Sequence, residues 1–174
     1  QDLALKLYIF NQTGGATAKS LTYYKKIIPA HGFFLIASQT GYSGTVPPDA
    51  VYDGLTNSLV GNSGFSIATS SLANATSSAI DLLGWGAEAV ANCRTLCANN
   101  LTEISGGSLE RVARGYPEAT STVLEMATGG TDAAKGNGYD SRNNQNDFVA
   151  ESAPNPQNSA SPTEFPFGGG GSDN

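Results

Sequence analysis

The sequence has few of the side chains on which catalytic and metal sites depend. Its 174 residues include one histidine, His31, and two cysteines. A Ser-His-Asp triad would have to use His31, which lies in a turn-forming stretch between two apolar runs, and a zinc site needs three or four ligands. No glycine-rich stretch joins a strand to a helix as a phosphate-binding loop requires. We therefore predict that the protein is not an enzyme.

Basic residues are also scarce: nine Lys and Arg residues stand against fifteen Asp and Glu, for a net charge of −6. Binding to phosphates depends on clustered basic side chains, and the only adjacent pair is Lys25-Lys26. We therefore do not expect nucleic acid as a partner. No run reaches the roughly 18 apolar residues of a membrane span. Because Gln1 follows no basic and apolar leader, we expect any signal peptide to have been removed or to lie upstream.

The composition that remains is typical of one secreted domain. Apolar residues make up 39% of the 174 residues, which is sufficient for one core. Charged residues account for only 14% of the chain, below the ~25% usual in globular proteins. The polar surface is therefore supplied mainly by hydroxyl and amide groups. We expect the protein to be secreted, extracellular or on the cell surface.

The two cysteines, Cys93 and Cys97, stand close together in the stretch NCRTLC. An even number at short spacing predicts a local disulfide, which would imply an oxidising compartment. The alternative is two unpaired thiols on one loop or helical turn, because positions i and i+4 of a helix share a face.

Short apolar runs separated by turn-forming residues indicate β-strands. Residues 33–37 (FFLIA) are apolar throughout, and residues 108–113 alternate, with Leu109, Arg111 and Ala113 on one face. Turn signals rich in Gly, Pro and Asn separate the runs. The pattern predicts an all-β, antiparallel sandwich of about seven to nine strands. The residues expected to be buried in it are Phe10, Phe34, Ile36, Ile80, Leu82, Trp85, Leu109 and Phe148.

Five segments, in order, resemble lamin-tail domains. They are similar to that family's "IELYN" strand, its Pro-Gly-aromatic hairpin, its "D.vgWG" strand, its "G.S.eR" strand and its "D.N..DF" ending. The matching segments are LKLYIFN (5–11), IPAHGFFLIA (28–37), AIDLLGWG (79–86), GSLER (107–111) and YDSRNNQNDFVAESAPNPQN (139–158).

The resemblance implies an immunoglobulin-like antiparallel β-sandwich over residues 1–153. It also implies a non-catalytic module of the kind found on secreted and surface proteins of prokaryotes, where it accompanies hydrolases and nucleases. The chain departs from the family at both ends, since the usual first strand is missing and residues 154–174 form an extra Pro- and Gly-rich tail.

An acid- and amide-rich stretch near the end of the match admits two interpretations. Its oxygen-bearing side chains could bind calcium, which prefers six to eight oxygen ligands, but the spacing is not that of a twelve-residue calcium loop. Asx turns account for the same residues without a metal. No other cofactor is predicted. The five candidate ligands are Asp140, Asn143, Asn144, Asn146 and Asp147.

The tail suggests a route to self-association. A sandwich without its usual first strand exposes a strand edge, and a strand from elsewhere can cover it. Phe165 and Phe167 project on one side of an extended segment, and Pro166 confines that segment to an edge. We predict an extracellular structural or interaction module that binds copies of itself through its termini and forms surface or filamentous assemblies.

Two alternatives accompany this prediction. The tail folds back on its own domain instead of a neighbour. The second alternative is that the chain is an accessory carbohydrate- or DNA-binding domain of a secreted hydrolase, whereas the first concerns only where the tail binds.

Overall fold

The computed structural model describes residues 5–10, 16–53, 63–69, 79–85, 107–115 and 118–166. Within these ranges the chain forms eleven short strands and two single-turn helices. The strands are β1 (Lys6–Phe10), β2 (Ala16–Lys19), β3 (Leu21–Tyr23), β4 (Ile36–Ser38), β5 (Ala50–Tyr52), β6 (Ser63–Ala68), β7 (Asp81–Trp85), β8 (Ser108–Arg111), β9 (Lys135–Gly136), β10 (Phe148–Glu151) and β11 (Phe165–Pro166), and the helices are α1 (Val123–Met126) and α2 (Asn144–Asp147).

The predicted all-β class is confirmed, whereas the expected strand number is wrong. The described strands form a four-stranded sheet of order β2-β1-β6-β7, a three-stranded sheet of order β3-β5-β4, and two pairs, β10-β8 and β11-β9. The excess over seven to nine comes from two- and three-residue strands whose pairing depends on distant parts of the chain. Two pairings, β4 with β5 and β11 with β9, are parallel rather than antiparallel.

The core lies between the four-stranded sheet and the smaller sheets. On β1, Leu7 and Ile9 share a face because side chains alternate along a strand, and both are buried against Tyr52 of β5. On β7, Leu83 packs against Phe148 of β10. One face of the large sheet therefore covers both the β3-β5-β4 sheet and the β8-β10 pair, which is a sandwich arrangement.

The opposite face of the large sheet carries a second cluster. Tyr8, Ala68 and Leu82 pack together there, at 7%, 0% and 0% exposure. The large sheet is therefore apolar on both faces, which explains why β7 contains consecutive buried residues instead of a strict alternation.

Most of the residues predicted to be buried contribute to this core. Leu82 and Phe148 are buried, while Ile36, Trp85 and Leu109 are partly buried and pack against core residues. Phe34 is partly buried with its ring 6.3 Å from that of Tyr23. The side chain of Phe10 lies outside the described residues.

The prediction for Ile80 is wrong, since its side chain is 56% exposed. The last paired position of β7 is Asp81, opposite Ile67 of β6. Ile80 precedes this pair, and its amide still donates to the Ile67 carbonyl at 2.7 Å, so its backbone continues the pairing while its side chain stays exposed.

Both helices begin at capping residues. The Thr122 side chain accepts a hydrogen bond from the Glu125 amide of α1, and the Glu125 carboxylate accepts one from the Thr122 amide in return. Asn143 caps α2 by accepting from the Gln145 amide at 3.1 Å. In the described part of the chain, no helix is both long enough and apolar enough to span a membrane.

Candidate functional site: an acidic cleft beside strand β8

A cleft of about 680 Å³ opens beside β8. All four residues of β8 line it. Successive side chains of a strand point to opposite faces. A cleft lined by all four residues of β8 must therefore lie along the edge of the strand. The remaining wall residues are His31, Gly32, Phe33, Tyr42, Gly136, Asn137, Gly138, Pro154, Asn155, Pro156, Gln157 and Glu164.

The edge of β8 that faces away from β10 pairs with no other described strand. The Val112 amide donates to the Asp147 carbonyl at 2.9 Å, on the side of β10. Since alternate residues of an antiparallel strand direct their amides to opposite edges, the amides of Leu109 and Arg111 face the other way. Within the ranges that the structure describes, β8 pairs with β10 alone. This edge can therefore accept a further strand.

Two carboxylates give the cleft its negative charge. Glu110 of β8 accepts a hydrogen bond from the Asn137 amide group at 2.9 Å. Glu164 accepts a long one, 3.4 Å, from the Gln157 amide group. Burial raises the pKa of Glu164 above its usual value, and the nearby Glu110 charge adds to the shift.

A third carboxylate, that of Glu151, lies next to Glu110. Glu151 of β10 is opposite Ser108 and therefore shares a face of the β8-β10 pair with Glu110. Its side chain is only 8% exposed. Burial, followed by repulsion from Glu110, raises the pKa of Glu151. Glu151 Oε1 and Glu164 Oε2 are both buried and have no hydrogen-bond partner among the described residues.

Arg111, the cation on β8, is engaged elsewhere. Its Nη2 donates to both carboxylate oxygens of Asp81, at 2.8 and 2.6 Å, and its Nη1 lies 3.9 Å from Asp147. The guanidinium also stacks on the Phe148 ring at 4.5 Å from the ring centre. Its charge is therefore balanced by these two aspartates instead of by the carboxylates of the cleft.

His31 forms one wall of the cleft and supports the tail. The residue is exposed and has φ of 54°, in the left-handed region that non-glycine residues rarely adopt. Its carbonyl accepts a hydrogen bond from the Glu164 amide at 2.9 Å, and its ring centre is 6.4 Å from that of Phe165.

The C-terminal arm, residues 154–166, lies against its own domain. The Asn158 side chain donates to the Pro47 carbonyl at 2.8 Å, and the Ser159 amide donates to Asp49 Oδ2 at 2.9 Å. At its end β11 pairs with β9, with Phe165 opposite Lys135. Phe165 nevertheless remains 71% exposed. Phe167, the second aromatic residue predicted to mediate assembly, lies outside the described residues.

A buried ionic cluster holds the segment that carries β9. Asp132, only 1% exposed, accepts hydrogen bonds of 2.8 Å from Arg114, Ser121 and Lys135. Burial by itself would raise the pKa of Asp132, but the hydrogen bonds from Lys135, Ser121 and Arg114 outweigh it and lower the pKa to about 2. This cluster fixes Lys135, and thereby the strand on which the arm ends.

Four of the five predicted calcium ligands form side-chain hydrogen bonds within the chain. Asp147 is fully buried and accepts from the Ser141 amide, the Ser141 hydroxyl and the Asn143 amide. Asp140 accepts from the Arg142 amide in an Asx turn.

The remaining three candidates are directed to different places. Asn143 caps α2, Asn146 is exposed, and Asn144 is buried against β7, where it donates to the Leu82 carbonyl and accepts from the Gly84 amide. The described residues contain no group of three or more His, Cys, Asp or Glu side chains able to hold a metal ion. The bonds of Asp140 and Asn143 fit the Asx-turn interpretation, and calcium binding at this stretch stays a prediction.

The predicted disulfide partners, Cys93 and Cys97, lie outside the described residues, so their pairing stays a prediction. The acidic cleft itself was not predicted. The alternation of residues 108–113 predicted a strand, but nothing near Glu110 in the sequence indicated that Glu151 and Glu164 approach it. The sequence contains no local signal for such an encounter, since the three lie in separate parts of the chain.

No family model, curated protein or solved structure matches the chain. The similarity to lamin-tail domains therefore remains a prediction from the sequence segments.

Proposed function

We propose that the chain is a non-catalytic extracellular module, a lamin-tail-type immunoglobulin-like sandwich that self-assembles by strand addition through its C-terminal arm. The observation that carries this proposal is the docking of the arm. The arm ends in a two-residue parallel pairing of β11 with β9, and Phe165 stays 71% exposed in it.

An arm held in this way is suited to exchange between copies. Its specific anchors are few: Asn158 on the Pro47 carbonyl, Ser159 on Asp49, and the Glu164 amide on the His31 carbonyl. The same contacts form equally well when the arm of one copy reaches the domain of another, which is domain swapping. Repeated head to tail without closure, such exchange produces a filament.

A non-catalytic role agrees with the engagement of the reactive side chains in the described residues. Arg111 is paired with Asp81 and Asp147, and Arg114 with Asp132 and Glu125. His31, the one histidine of the chain, supports the arm through its carbonyl.

The accessory-domain alternative is favoured by a different observation. The cleft combines the aromatic residues Phe33 and Tyr42 with the amides of Asn137 and Gln157, a mixture of apolar walls and a few polar groups that suits a small ligand such as a sugar. Its carboxylates would repel phosphates, so carbohydrate is a better candidate than DNA. Titration with soluble polysaccharides by calorimetry tests this alternative.

The self-assembly proposal is tested by removing the arm. A chain ending at Asn158 and a Phe165→Ser variant are compared with the full chain by light scattering after size exclusion and by negative-stain microscopy. We expect the full chain to form filaments or other large assemblies, and we expect both changes to abolish them. Leu124→Ser is the matched control, because Leu124 is 84% exposed on α1, away from the arm. Unchanged assemblies in the truncated chain would contradict the proposal.

A further inference from the structure

One exposed segment combines apolar and basic side chains. In residues 24–28 (YKKII), Tyr24 is 61%, Ile27 76% and Ile28 42% exposed, so three of the seven exposed large hydrophobic residues among those described fall within five positions. Lys25 and Lys26 between them are exposed as well. Such a concentration of exposed apolar surface marks an interaction site, and β-branched Ile residues favour the extended conformation of a strand.

The cleft beside β8 offers what this segment would need. The Leu109 and Arg111 amides face away from β10, which is the geometry that an added strand uses. Glu151 Oε1 and Glu164 Oε2 are buried without a hydrogen-bond partner among the described residues, close to Glu110. A positive charge brought into the cleft would pair with Glu110 and Glu164, which line it, and relieve the repulsion among the three carboxylates.

The nature of that positive charge follows from the donor set. The carboxylates are not arranged as a metal-binding group, since no cluster of three acidic, His or Cys side chains in the described residues can hold a metal ion. An ammonium group on a polypeptide satisfies both the carboxylates and the open strand edge.

We propose that the cleft receives residues 24–28 of a second copy of this chain as an added strand, with Lys25 placed between Glu110 and Glu164. Alternation puts Ile27 on the same side as Lys25, towards the apolar walls formed by Leu109 and Phe33. The inference rests on the proposed self-association, but it assigns a contact distinct from that of the arm.

The position of the segment predicts the symmetry of this contact. His31, a wall residue of the cleft, follows Ile28 by three positions, so the segment ends within about 11 Å of its own cleft. Two copies related by a two-fold axis can then each place their segment in the other's cleft. The expected product is a closed dimer with two equivalent contacts.

A charge exchange between full-length chains tests the contact. Lys25→Glu and Glu110→Lys each put like charges together in both contacts, and we expect each variant alone to dimerise roughly tenfold or more weakly in analytical ultracentrifugation. An equimolar mixture restores an opposite pair in both contacts, so we expect it to form heterodimers with about the wild-type affinity. Lys6→Glu, an exposed residue of β1 with the same charge change, should dimerise normally.

Folding and competing occupants are controlled separately. Circular dichroism and a thermal midpoint verify the fold, and Glu110→Gln, which can keep the bond to Asn137, serves if Glu110→Lys does not fold. The Lys25→Glu variant is expected to be monomeric and keeps Glu110 in its cleft. A labelled peptide of residues 22–30 should bind this variant more tightly than a basic peptide of unrelated sequence binds it.

The outcomes separate this inference from the proposed function. A wild-type chain that remains monomeric at all concentrations would contradict both. Association that resists both charge reversals, a mixture that does not recover, or equal binding of the unrelated basic peptide would overturn the cleft assignment alone. Charge variants that dimerise weakly and recover on mixing, together with assemblies insensitive to arm truncation, would leave the cleft contact in place and contradict the arm.

Discussion

Asp49 and Ser159, which are 110 residues apart in the sequence, are joined by two hydrogen bonds: the Ser159 amide and hydroxyl both donate to the Asp49 carboxylate, at 2.9 and 2.5 Å. The same carboxylate accepts from the Leu35 amide at 2.9 Å. Asp49 is 2% exposed. One buried carboxylate thus anchors the C-terminal arm to the loop that leads into β4.

Replacing Asp49 is therefore expected to release the arm. Asp49→Ala leaves the Leu35 and Ser159 amides without their acceptor, and we expect the free energy of unfolding to fall by about 2–4 kcal/mol. Ser159→Ala removes only the hydroxyl bond and should cost about 1 kcal/mol. Urea unfolding measures both values. Limited proteolysis should cleave the arm of Asp49→Ala before the domain, and equal protection of the arm in both variants would contradict the anchoring role.

The cluster around Asp132 predicts a loss of stability in acid. The folded-state pKa of Asp132 is lowered from 3.8 to about 2, so its contribution is present above pH 4 and is lost as the pH falls towards 2. We expect a loss of about 1–2 kcal/mol over this window, since Lys135 is partly exposed and its attraction is screened. Denaturation of wild type and Asp132→Asn between pH 6 and 2 measures it, and the variant should be less stable at pH 6 with a flatter profile. Parallel profiles would exclude Asp132 as the cause.

The sandwich, but not the cleft, could be predicted from the sequence. Strands such as β1 and β7 are encoded locally, because their apolar spacing specifies which side chains enter the core. Ile80 has the same local signal, yet its side chain is exposed, because the local pattern does not specify which side chains the rest of the chain covers. The parallel β11-β9 pairing is likewise a tertiary event between residues 30 positions apart.

The cleft illustrates the same limit at the candidate site. Glu110, Glu151 and Glu164 each occupy an unremarkable polar position in the sequence. Their interaction arises only when β10 pairs with β8 and the arm returns past His31. Local patterns carry no information on such an encounter.

Glu151 provides a test of the repulsion in this cluster. Its folded-state pKa is raised by burial and by Glu110, so ionised Glu151 opposes folding at neutral pH, and this penalty fades as the pH falls through the raised pKa. Glu151→Gln should therefore raise the free energy of unfolding by about 1 kcal/mol at pH 7 and have little effect at pH 4. Thermal unfolding at the two pH values measures the difference. Glu118→Gln, at an exposed position, should change neither, and a Glu151→Gln effect of the same size at both pH values would contradict the charge argument.

Two neighbouring asparagines in the predicted calcium stretch should differ sharply in their contribution to stability. Asn144 is 2% exposed and bridges α2 to β7 by donating to the Leu82 carbonyl at 2.9 Å and accepting from the Gly84 amide at 3.1 Å. Asn144→Ala leaves both buried backbone groups unsatisfied, and we expect a loss of about 2–3 kcal/mol. Asn146 is exposed, so Asn146→Ala should stay within about 0.5 kcal/mol of wild type.

Calcium distinguishes the two interpretations of this stretch in the same unfolding experiment. Asx turns and helix caps need no ion. Calcium at roughly 1–5 mM, at or above the dissociation constants of the weakest protein calcium sites, should therefore leave the wild-type midpoint unchanged. A calcium site would instead stabilise the folded chain by mass action. The Asn146→Ala variant lacks one of the five candidate oxygens, so it would lose the stabilisation that such a site provides. A calcium-dependent rise in the midpoint that Asn146→Ala abolishes would therefore contradict the assignment of these side chains to turns and caps.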